Sequence, residues 1–545
     1  MLVAAVVTDG GRGRLRVLRE DGRPEQPAEA VDDLVAEIGR RDGEGVRWLW
    51  GSTAEVYPAL LANGRRVGRC HDAELTEALL LGYDGRWGEP RSVAASWARR
   101  HGRPVPPDPV PDAPVGAGGA GDQVALFETP KQAPMIDADP LDALVETYAA
   151  QHAAIAARPE PGRFRLLVAA ENAGALIAAE MGHVGLPWSG RAHDDVLREL
   201  LGDPPSIAGA PPSRLVELTT TLRELFHDPR LHPESPAEVL RAFSRAGIVL
   251  PSTRAWVLKS VDHPAVAPLL EFKELYRIWT AHGWSWRATW VRDGRFHPEY
   301  VPAGVVSGRW ATRGGGALQI PKAVRRAVVA DPGWAFVVAD AGQLEPRVLA
   351  AMAGDNGLAR AGAGGDLYAA LAAEAFATDR AQAKLALLGA MYGQTGGNAV
   401  PALAALRQRF PVAWDYVERA ARAGEAGGLV RSWLGRTCPP PGPEERTPAR
   451  ERARGRFTRN FVIQATAAEW ALTLLALVRT ALPADAELVF FQHDEVIVHC
   501  PREHAAATAD ALREAAERAS RLLFGATPVR FPLGVAIVDC YADAK

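Results

Sequence analysis

Cysteine is scarce in this chain, which has only 4 among 545 residues. They are widely separated and form no CxxC pair, so the sequence predicts neither a zinc knuckle nor a disulfide framework. The four positions are Cys70, Cys438, Cys500 and Cys540. Such sparse usage is typical of a protein in a reducing compartment, and we expect the cytoplasm.

The chain also lacks a strong net charge. It has 62 Lys and Arg residues and 65 Asp and Glu residues, which give a formal net charge of −3. A nearly neutral chain gives no global indication of nucleic-acid binding, so such a function must rest on local basic clusters. The longest apolar run, near Ala471 to Val478, is too short to span a bilayer. The N-terminus MLVAAVVTDGG has no basic segment before its apolar residues, so we expect neither secretion nor a membrane anchor.

The chain is long, with 545 residues, and 48% of them are hydrophobic. That is enough for several cores, and two to four domains are expected. One informative stretch is ELVFFQHDEVIVHC, residues 487–500, where two apolar, β-prone runs flank a polar centre. This pattern predicts a β-hairpin with Asp494 and Glu495 at or near its bend.

A second predicted strand, residues 334–339, ends in Asp340. Two strands that each bring an aspartate to one edge of a sheet can share a pair of divalent cations, and Mg²⁺ prefers carboxylate oxygens together with substrate phosphates. Taken alone, an aspartate after a buried strand more often caps a turn or a helix.

The residues between these acids favour the metal hypothesis. Arg380, Lys384, Leu388 and Tyr392 recur every fourth position, so they follow one face of a helix that we expect to end near Gly393. Two cations and a tyrosine on one face suit a triphosphate and a base.

Three motifs resemble those of the family A DNA polymerases, the family of bacterial DNA polymerase I. The family's D-Y-S-Q-I-E-L-R strand is similar to residues 340–347, which include Asp340, Gln343 and Glu345. Its R-x3-K-x3-F-x3-Y-G helix is similar to residues 380–393, and its H-D-E hairpin to His493, Asp494 and Glu495. The motifs occur in family order, at family-like separations.

This resemblance implies a multidomain α+β and α/β fold. Residues 1–158 would form a degenerate ribonuclease H-like domain of the 3′–5′ exonuclease type, with a flexible Pro/Gly-rich insertion at about 101–134. Residues 159–545 would form a right-hand polymerase. Its expected parts are the thumb and palm entry (about 159–333), the palm (about 300–360 and 432–545) and the fingers (about 361–431).

The resemblance also implies roles for single residues. Asp340 and Asp494 would bind two Mg²⁺ ions, with Glu495 and Lys384 as further catalytic residues. The expected nucleotide-binding residues are Arg380, Lys384, Leu388, Tyr392, Gln343 and Glu345, of which Glu345 would exclude a ribose 2′-hydroxyl. Leu388 stands where the family has Phe or Tyr, and Tyr368 where a phosphate-contacting His is expected, so a slow or low-fidelity enzyme is predicted.

Local positive charge lies where a polymerase needs it. Arg309, in Ser307–Trp310, is similar to the family's T-G-R, and a Gly314–Gly316 loop follows that is not a Walker loop. A second arginine cluster, between Arg446 and Arg459, leads into a helix. The expected contacts to primer-template DNA are Arg309, Arg456, Asn460, Gln464 and His493.

The N-terminal exonuclease-like region lacks the acids that such a nuclease needs. No D-x-E follows the first strand, and Tyr148 is followed four residues on by His152 instead of an aspartate. We expect proofreading to be lost, and Asp9, Glu55 and Asp72 to be solvated charges and not substitutes.

One short apolar segment, Gln123-Val-Ala-Leu126-Phe127, resembles the Q-x-x-L-F peptide that binds the sliding clamp, although docking on its own domain is an equal alternative. The length leaves no room for a 5′-nuclease domain. The expected protein is thus a monomeric, cytoplasmic, nucleoid-associated DNA polymerase of repair or replication that uses deoxynucleoside triphosphates. The alternatives are a non-catalytic DNA-binding or clamp-associated scaffold, and a 3′–5′ exonuclease with substituted acids.

Overall fold

The computed structural model describes residues 1–43, 45–109, 137–207, 209–313, 320–363, 365–375, 379–393, 404, 406–442 and 447–544. The strands in this part are β1 (Leu2–Val7), β2 (Gly13–Leu18), β3 (Glu29–Val31), β4 (Arg47–Trp50), β5 (Cys70–Asp72), β6 (Leu186–Pro187), β7 (Val291–Arg292), β8 (Arg295–Phe296), β9 (Tyr300–Val301), β10 (Ala311–Thr312), β11 (Trp334–Ala341), β12 (Glu487–Gln492), β13 (Glu495–Pro501) and β14 (Leu533–Val538).

The α-helices that precede β11 are Leu34–Arg41, Thr53–Ala62, Ala73–Tyr83, Val93–Arg100, Pro140–Ala156, Pro161–Val184, Gly190–Leu201, Ser213–Leu225, Pro236–Arg245, Ala255–Leu258, Val266–His282 and Trp284–Trp290. Those after it are Leu344–Ala353, Asn356–Ala363, Leu367–Ala375, Arg380–Tyr392, Pro411–Glu425, Pro448–Ala481 and Ala505–Phe524. We call Arg380–Tyr392 the Arg380 helix and Pro448–Ala481 the long helix.

The N-terminal sheet has the strand order β3-β2-β1-β4-β5, in which β1 is antiparallel to β2 and parallel to β4. Because side chains alternate across a strand, β1 serves two apolar clusters. Val3 and Ala5 face one cluster, with Trp48 and Trp50, and Leu2 and Ala4 face another.

The central sheet has the order β12-β13-β11-β14, and all its neighbours are antiparallel. It divides the two largest cores of the molecule. Ala335, Val337 and Ala339 of β11 face one core, whereas Phe336 and Val338 face the other. Burial on both faces explains why β11 reads as an uninterrupted apolar run in the sequence.

The long helix lies in the first of these cores, where it packs against the helices Pro161–Val184, Pro411–Glu425 and Ala505–Phe524. Among the described residues it is the one helix long and apolar enough to cross a membrane, but 83% of its apolar window is buried in the protein. Its hydrophobicity is therefore that of a core helix.

The other core gathers the helices between Gly190 and Trp290, where Trp188, Trp286 and Phe296 pack ring against ring. These helices begin with clear caps. Ser189 accepts a hydrogen bond from the amide of Ala192, and Ser235 from that of Glu238. This helical unit lies on the face of the central sheet that carries Phe336 and Val338.

Candidate active site

The two predicted metal ligands meet at one edge of the central sheet. Asp340 stands near the end of β11, directly opposite Glu495 at the start of β13. Asp494 lies in the turn just before Glu495, and its carbonyl oxygen accepts a hydrogen bond of 3.0 Å from the amide of Ala341. The predicted meeting of two strand-end carboxylates is confirmed.

The turn that carries Asp494 is tight. Gln492 and Glu495 are paired across β12 and β13, which leaves two residues, His493 and Asp494, to reverse the chain. His493 has a φ of 57°, a left-handed value that two-residue hairpin turns require and that few residues other than glycine adopt. Partial burial and the neighbouring Arg309 lower the pKa of His493, so its ring is neutral at pH 7.

Glu495 is set deeper than the two aspartates. It is only 3% exposed, and its carboxylate accepts a hydrogen bond from Tyr541 Oη, with Arg325 Nη1 at 3.9 Å. Burial, followed by the charge of Glu495, raises the pKa of Tyr541. Asp340 and Asp494 are half-buried and so lie within reach of a ligand from solvent.

A cavity of about 170 Å³ opens beside Asp494. Its lining combines two carboxylates, one arginine and apolar side chains from several parts of the chain. The lining residues are Arg309, Gln343, Leu344, Glu345, Pro346, Tyr368, Leu388, Ala467, Ala468, His493 and Asp494. Six of the predicted site residues are among them: Arg309, Gln343, Glu345, Leu388, His493 and Asp494.

Glu345 is fixed on the wall of this cavity by two donors. Arg309 Nη2 donates to one carboxylate oxygen and Tyr392 Oη to the other, each at 2.5 Å. Burial, together with the bond to Glu345, raises the pKa of Tyr392, which therefore remains a donor at neutral pH. Three residues that sequence reasoning assigned separately thus form one network.

The Arg380 helix ends where the sequence predicted, at Gly393. Asp379 caps its start by accepting from the amide of Gln382 at 3.0 Å, and Gly393 ends it with a φ of 70°. Arg380 and Lys384 are exposed, and Leu388 and Tyr392 are half-buried. The predicted face is therefore real, with cations at one end and apolar contact at the other.

Tyr368 lies between the two cations. Its ring centroid is 5.7 Å from Arg380 Cζ and 5.9 Å from Lys384 Nζ. Burial is the main reason that the pKa of Tyr368 rises to about 12. The aromatic ring is thus a neutral platform under two positive charges.

Gln343 connects the catalytic strand to this helix through Asp366. It has a φ of 58°, and its Nε2 donates to Asp366 Oδ1 at 2.7 Å. The other oxygen of Asp366 accepts from Arg380 Nε at 2.7 Å. Burial acts to raise the pKa of Asp366, but hydrogen bonds from Arg380 and Gln343 outweigh it and lower the pKa to about 2.

The predicted DNA-contacting face of the long helix begins beside the site. Arg456 is exposed, and its Cγ would lie 2.9 Å from a Cβ placed at Gly393, so the end of the Arg380 helix adjoins it. Asn460 and Gln464 follow at intervals of four and are half-buried. Asn460 Oδ1 is buried and has no hydrogen-bond partner in the described part of the chain.

One member of the second arginine cluster does not belong to an exposed basic face. Arg459 is 6% exposed, donates to Glu418 and lies 4.9 Å from the ring of Trp414. Its neighbour Thr458 donates to the carbonyl oxygen of Ala420 at 2.9 Å, so both residues lie on the side of the long helix that packs against Pro411–Glu425. The prediction that Arg459 adds to the exposed cluster is wrong.

Arg347, Asp366 and Tyr541 are functional neighbours that sequence reasoning did not assign. Arg347 is 1% exposed and donates to the carbonyl oxygens of Gly342, Gly362, Gly365 and Arg530. Burial lowers its pKa, but four acceptors hold its charge. Asp366 carried one detectable signal, since an aspartate before LYAAL is a typical helix cap.

The sequence predicts that the N-terminal acids are solvated charges. Asp9 and Glu55 are exposed, but the prediction is wrong for Asp72, which is 2% exposed. Asp72 caps a helix, accepting from the amides of Thr53 at 2.7 Å and Leu75 at 2.9 Å. Asp9 is exposed in a 3-10 turn. Tyr148 belongs to the apolar cluster of Leu2 and Ala4, and His152 stacks on it with ring centroids 6.1 Å apart.

Two predictions fall outside the described residues. The peptide with Gln123, Leu126 and Phe127 is one, and the Gly314–Gly316 loop is the other. Arg446 of the second cluster also lies outside them.

A larger cavity, of about 940 Å³, lies elsewhere. It lies between the N-terminal unit and residues near Arg436, and it has a mixed lining that includes Glu55, Glu74, Arg91 and Glu171. Neither Asp340 nor Asp494 borders it, so we place the chemistry at the smaller cavity.

The donor set fits Mg²⁺. No group of three or more His, Cys, Asp or Glu side chains among the described residues is arranged to hold a metal alone. Magnesium usually binds through one or two carboxylates and keeps its other positions for water and substrate phosphates. A pair of half-buried aspartates at one edge of the sheet fits this mode of binding.

Comparisons with known proteins agree with this geometry. The sequence model of DNA polymerase family A matches residues 244–538. The thermostable DNA polymerase I of Thermus aquaticus is 28% identical over 324 residues, which cover 52% of this chain and 37% of that protein. DNA polymerase I of Chloroflexus aurantiacus is 29% identical over 303 residues, covering 48% of this chain and 31% of that protein.

The matched segment of this chain therefore spans about a third of the length of these relatives. A solved structure, the POL domain of Pol1 from M. smegmatis in complex with DNA primer-template and dNTP, has a TM-score of 0.71 at 17% identity. The similarity covers 99% of this chain and 95% of that one, so the fold is shared over nearly the whole length.

Proposed function

The chain belongs to DNA polymerase family A, and we propose that it is a DNA-directed DNA polymerase that adds deoxynucleotides to a primer 3′-hydroxyl. The observation that carries this proposal is the placement of Asp340 beside Asp494, next to a cavity walled by Glu345 and near Arg380. A scaffold that only bound DNA would have no use for this set.

The reaction sets the task of the site. A 3′-hydroxyl attacks the α-phosphorus of a nucleotide, pyrophosphate leaves, and negative charge develops on both oxygens. Asp340 and Asp494 would hold two Mg²⁺ ions, which supply activation of the hydroxyl and neutralisation of the phosphates. Glu495, buried behind them, would fix the hairpin through Tyr541 and adds negative charge that favours the cations.

The cations of the Arg380 helix would handle the triphosphate. Arg380 can bind two phosphate oxygens with its planar guanidinium, whereas Lys384 provides a compact charge and a proton for the leaving group. Both are exposed on the helix face that adjoins Tyr368. Tyr368 stands where a histidine that contacts phosphate is expected in the family. Its ring would instead pack against Arg380 and Lys384.

The cavity wall would select the sugar. Glu345, held by Arg309 and Tyr392, would fill the space of a ribose 2′-hydroxyl. Leu388 presents an aliphatic side chain to the nucleotide in place of an aromatic ring, which reduces stacking contact. Gln343 would line the same side of the nucleotide.

Arg456, Asn460 and Gln464 would contact the primer-template duplex, with Arg309 and His493 at its growing end. Contacts of this kind position a duplex without reading its sequence. The exposure of Arg456 supports this role.

We propose the domain division given by the sequence: an exonuclease-like unit over residues 1–158, and thumb, palm and fingers over 159–545. The mixed five-stranded N-terminal sheet supports a ribonuclease H-like unit. That unit would have lost proofreading, because apolar residues occupy the cluster around Tyr148 and Asp72 serves as a helix cap. Repair or replication in the cytoplasm, a monomeric state and clamp binding through Gln123, Leu126 and Phe127 belong to the same proposal.

The test is extension of a 5′-labelled primer on a DNA template with Mg²⁺, with all four deoxynucleotides and, in parallel, with none. Extension with no shortening in the nucleotide-free lane is the expected result. Shortening would assign exonuclease activity to the N-terminal unit. Binding of DNA without either product would favour the scaffold and refute the polymerase.

A further inference from the structure

Arg380 is already engaged in the structure. Its Nε donates to Asp366 Oδ2 at 2.7 Å, although both side chains remain about half exposed, at 54% and 40%. The carboxylate thus occupies one edge of the guanidinium that the proposed function assigns to the triphosphate.

Asp366 is held independently of this ion pair. Its Oδ1 accepts from Gln343 Nε2 at 2.7 Å, and from the backbone amides of Tyr368 at 3.0 Å and Ala369 at 3.1 Å. These bonds cap the helix Leu367–Ala375 and fix the carboxylate next to the catalytic strand. Arg380, with a long and exposed side chain, is therefore the partner that moves.

A carboxylate and a phosphate satisfy the same donors of an arginine, because both present paired anionic oxygens to the guanidinium fork. Lys384 shares the ring of Tyr368 with Arg380, so the two cations lie close together. Asp366 balances the charge of Arg380, and among the described residues no carboxylate forms an ion pair with Lys384.

We propose that Asp366 is a positioning residue that stands in for the triphosphate on Arg380, so that an incoming nucleotide must displace this carboxylate in order to bind. This inference rests on the proposed function of the site. Asp366 keeps Arg380 extended toward the site between catalytic cycles, at a cost in nucleotide affinity. Because an anionic triphosphate offers more charge than one carboxylate, it wins the exchange when it is present.

The test is the D366N protein. Asparagine retains the Oδ1 acceptor that caps the helix and binds Gln343, and it removes the charge that binds Arg380. An exposed ion pair is worth little, so we expect the nucleotide KM to fall about two- to fivefold with kcat changed by less than about twofold. The dissociation constant of inorganic tripolyphosphate for the full chain without DNA, measured by calorimetry, is expected to fall by the same factor.

The matched control is D415N. Asp415 forms an ion pair with Arg419 of similar exposure, at 52% and 60%, on a helix that borders neither cavity. Its removal is expected to leave KM and tripolyphosphate binding unchanged. A double-mutant cycle then isolates the pair: in the R380A background, D366N is expected to have no effect on tripolyphosphate binding.

Unchanged or weaker tripolyphosphate binding by D366N would overturn the inference, and so would an effect that persists in R380A. A kcat that falls tenfold in D366N would make Asp366 a structural support of the site, which also overturns it. Failure of the wild-type chain to extend a primer would refute the proposed function instead, and tripolyphosphate binding distinguishes the two failures.

Discussion

The amide of Ala341 donates to the carbonyl oxygen of Asp494 across 3.0 Å. This bond joins the hairpin turn to the strand end that carries Asp340. Because the backbone sets this arrangement, either carboxylate can be changed to an amide while the main-chain contact remains. That separation of geometry from charge allows a clean test of both aspartates.

We expect D340N and D494N each to lower the rate of primer extension by about 10²-fold or more, because each variant removes a charge that the metal ions and developing oxyanions require. Single-turnover extension measures the loss, and anisotropy of a labelled duplex checks that DNA binding persists. D415N is again the control. Full activity in D340N would remove Asp340 from the site.

The Glu345 network predicts a change in sugar selection. E345A removes the carboxylate that Arg309 and Tyr392 hold on the cavity wall. Incorporation of ribonucleotides relative to deoxynucleotides is expected to rise about tenfold or more, the scale on which one pocket contact discriminates between substrates. Y392F keeps the carboxylate and loses one donor, so its effect should be smaller. Equal ratios in E345A and the unaltered protein would contradict the assignment.

Glu469 predicts a pH dependence of stability. It is 0% exposed and accepts from Ser432 Oγ and the amide of Leu434, and burial is the main cause that raises its pKa to about 7. An acid whose folded pKa is raised stabilises the fold below its unfolded pKa of 4.5 and loses that contribution as pH rises through 7. The loss amounts to about 3 kcal/mol.

E469Q mimics the protonated acid, because an amide can donate to Ser432 and accept from Leu434. Urea unfolding at pH 5 and pH 8 should show the free energy of unfolding of E469Q exceeding that of the unaltered protein at pH 8 only. A difference that is the same at both pH values would show that Glu469 does not titrate in this range.

A largely buried arginine of the long helix contacts both the helix Pro161–Val184, through Glu180, and the N-terminal unit, through Val67 and Gly68. Arg479 donates to Glu180 at 2.7 Å and to the carbonyl oxygens of Val67 and Gly68 at 2.6 and 2.9 Å. R479A would leave the carboxylate of Glu180 without its cation, which is expected to cost about 3–5 kcal/mol. Hydrogen exchange at the amides of β4 would report this loss as faster opening of the N-terminal sheet.

The exposed pair of Arg502 and Asp539 offers a comparison for that experiment. R502A is expected to change the free energy of opening, measured by hydrogen exchange in β11, by no more than about 1 kcal/mol. If R479A were equally mild, this ion pair would not be what stabilises the N-terminal sheet against opening.

Local patterns in the sequence were enough to predict the parts of the site that depend on neighbours in the chain. The spacing of Arg380, Lys384, Leu388 and Tyr392 predicted a helix with these side chains on one face, and the glycine after them predicted where it ends. The apolar runs around Asp494 likewise predicted the hairpin, since period and turn length are local properties.

Partners distant in the chain could not be read in this way. Tyr541 lies 46 residues beyond Glu495, and Glu418 lies 41 residues before Arg459. Which side of a helix an arginine takes depends on what packs there, and a single sequence does not show this. The ion pair of Asp366 with Arg380 was missed for the same reason, although its capping role was visible.

The placement of β11 has a consequence for the synthesis of the chain. Its two neighbours in the central sheet are β13 and β14, and Arg347 binds the carbonyl oxygen of Arg530. A nascent chain that has emerged as far as the Arg380 helix already contains Asp340, but neither edge of its strand is paired. The ribosome must add more than a hundred further residues before the active site can exist, so the exposed apolar strand has to be shielded meanwhile from aggregation.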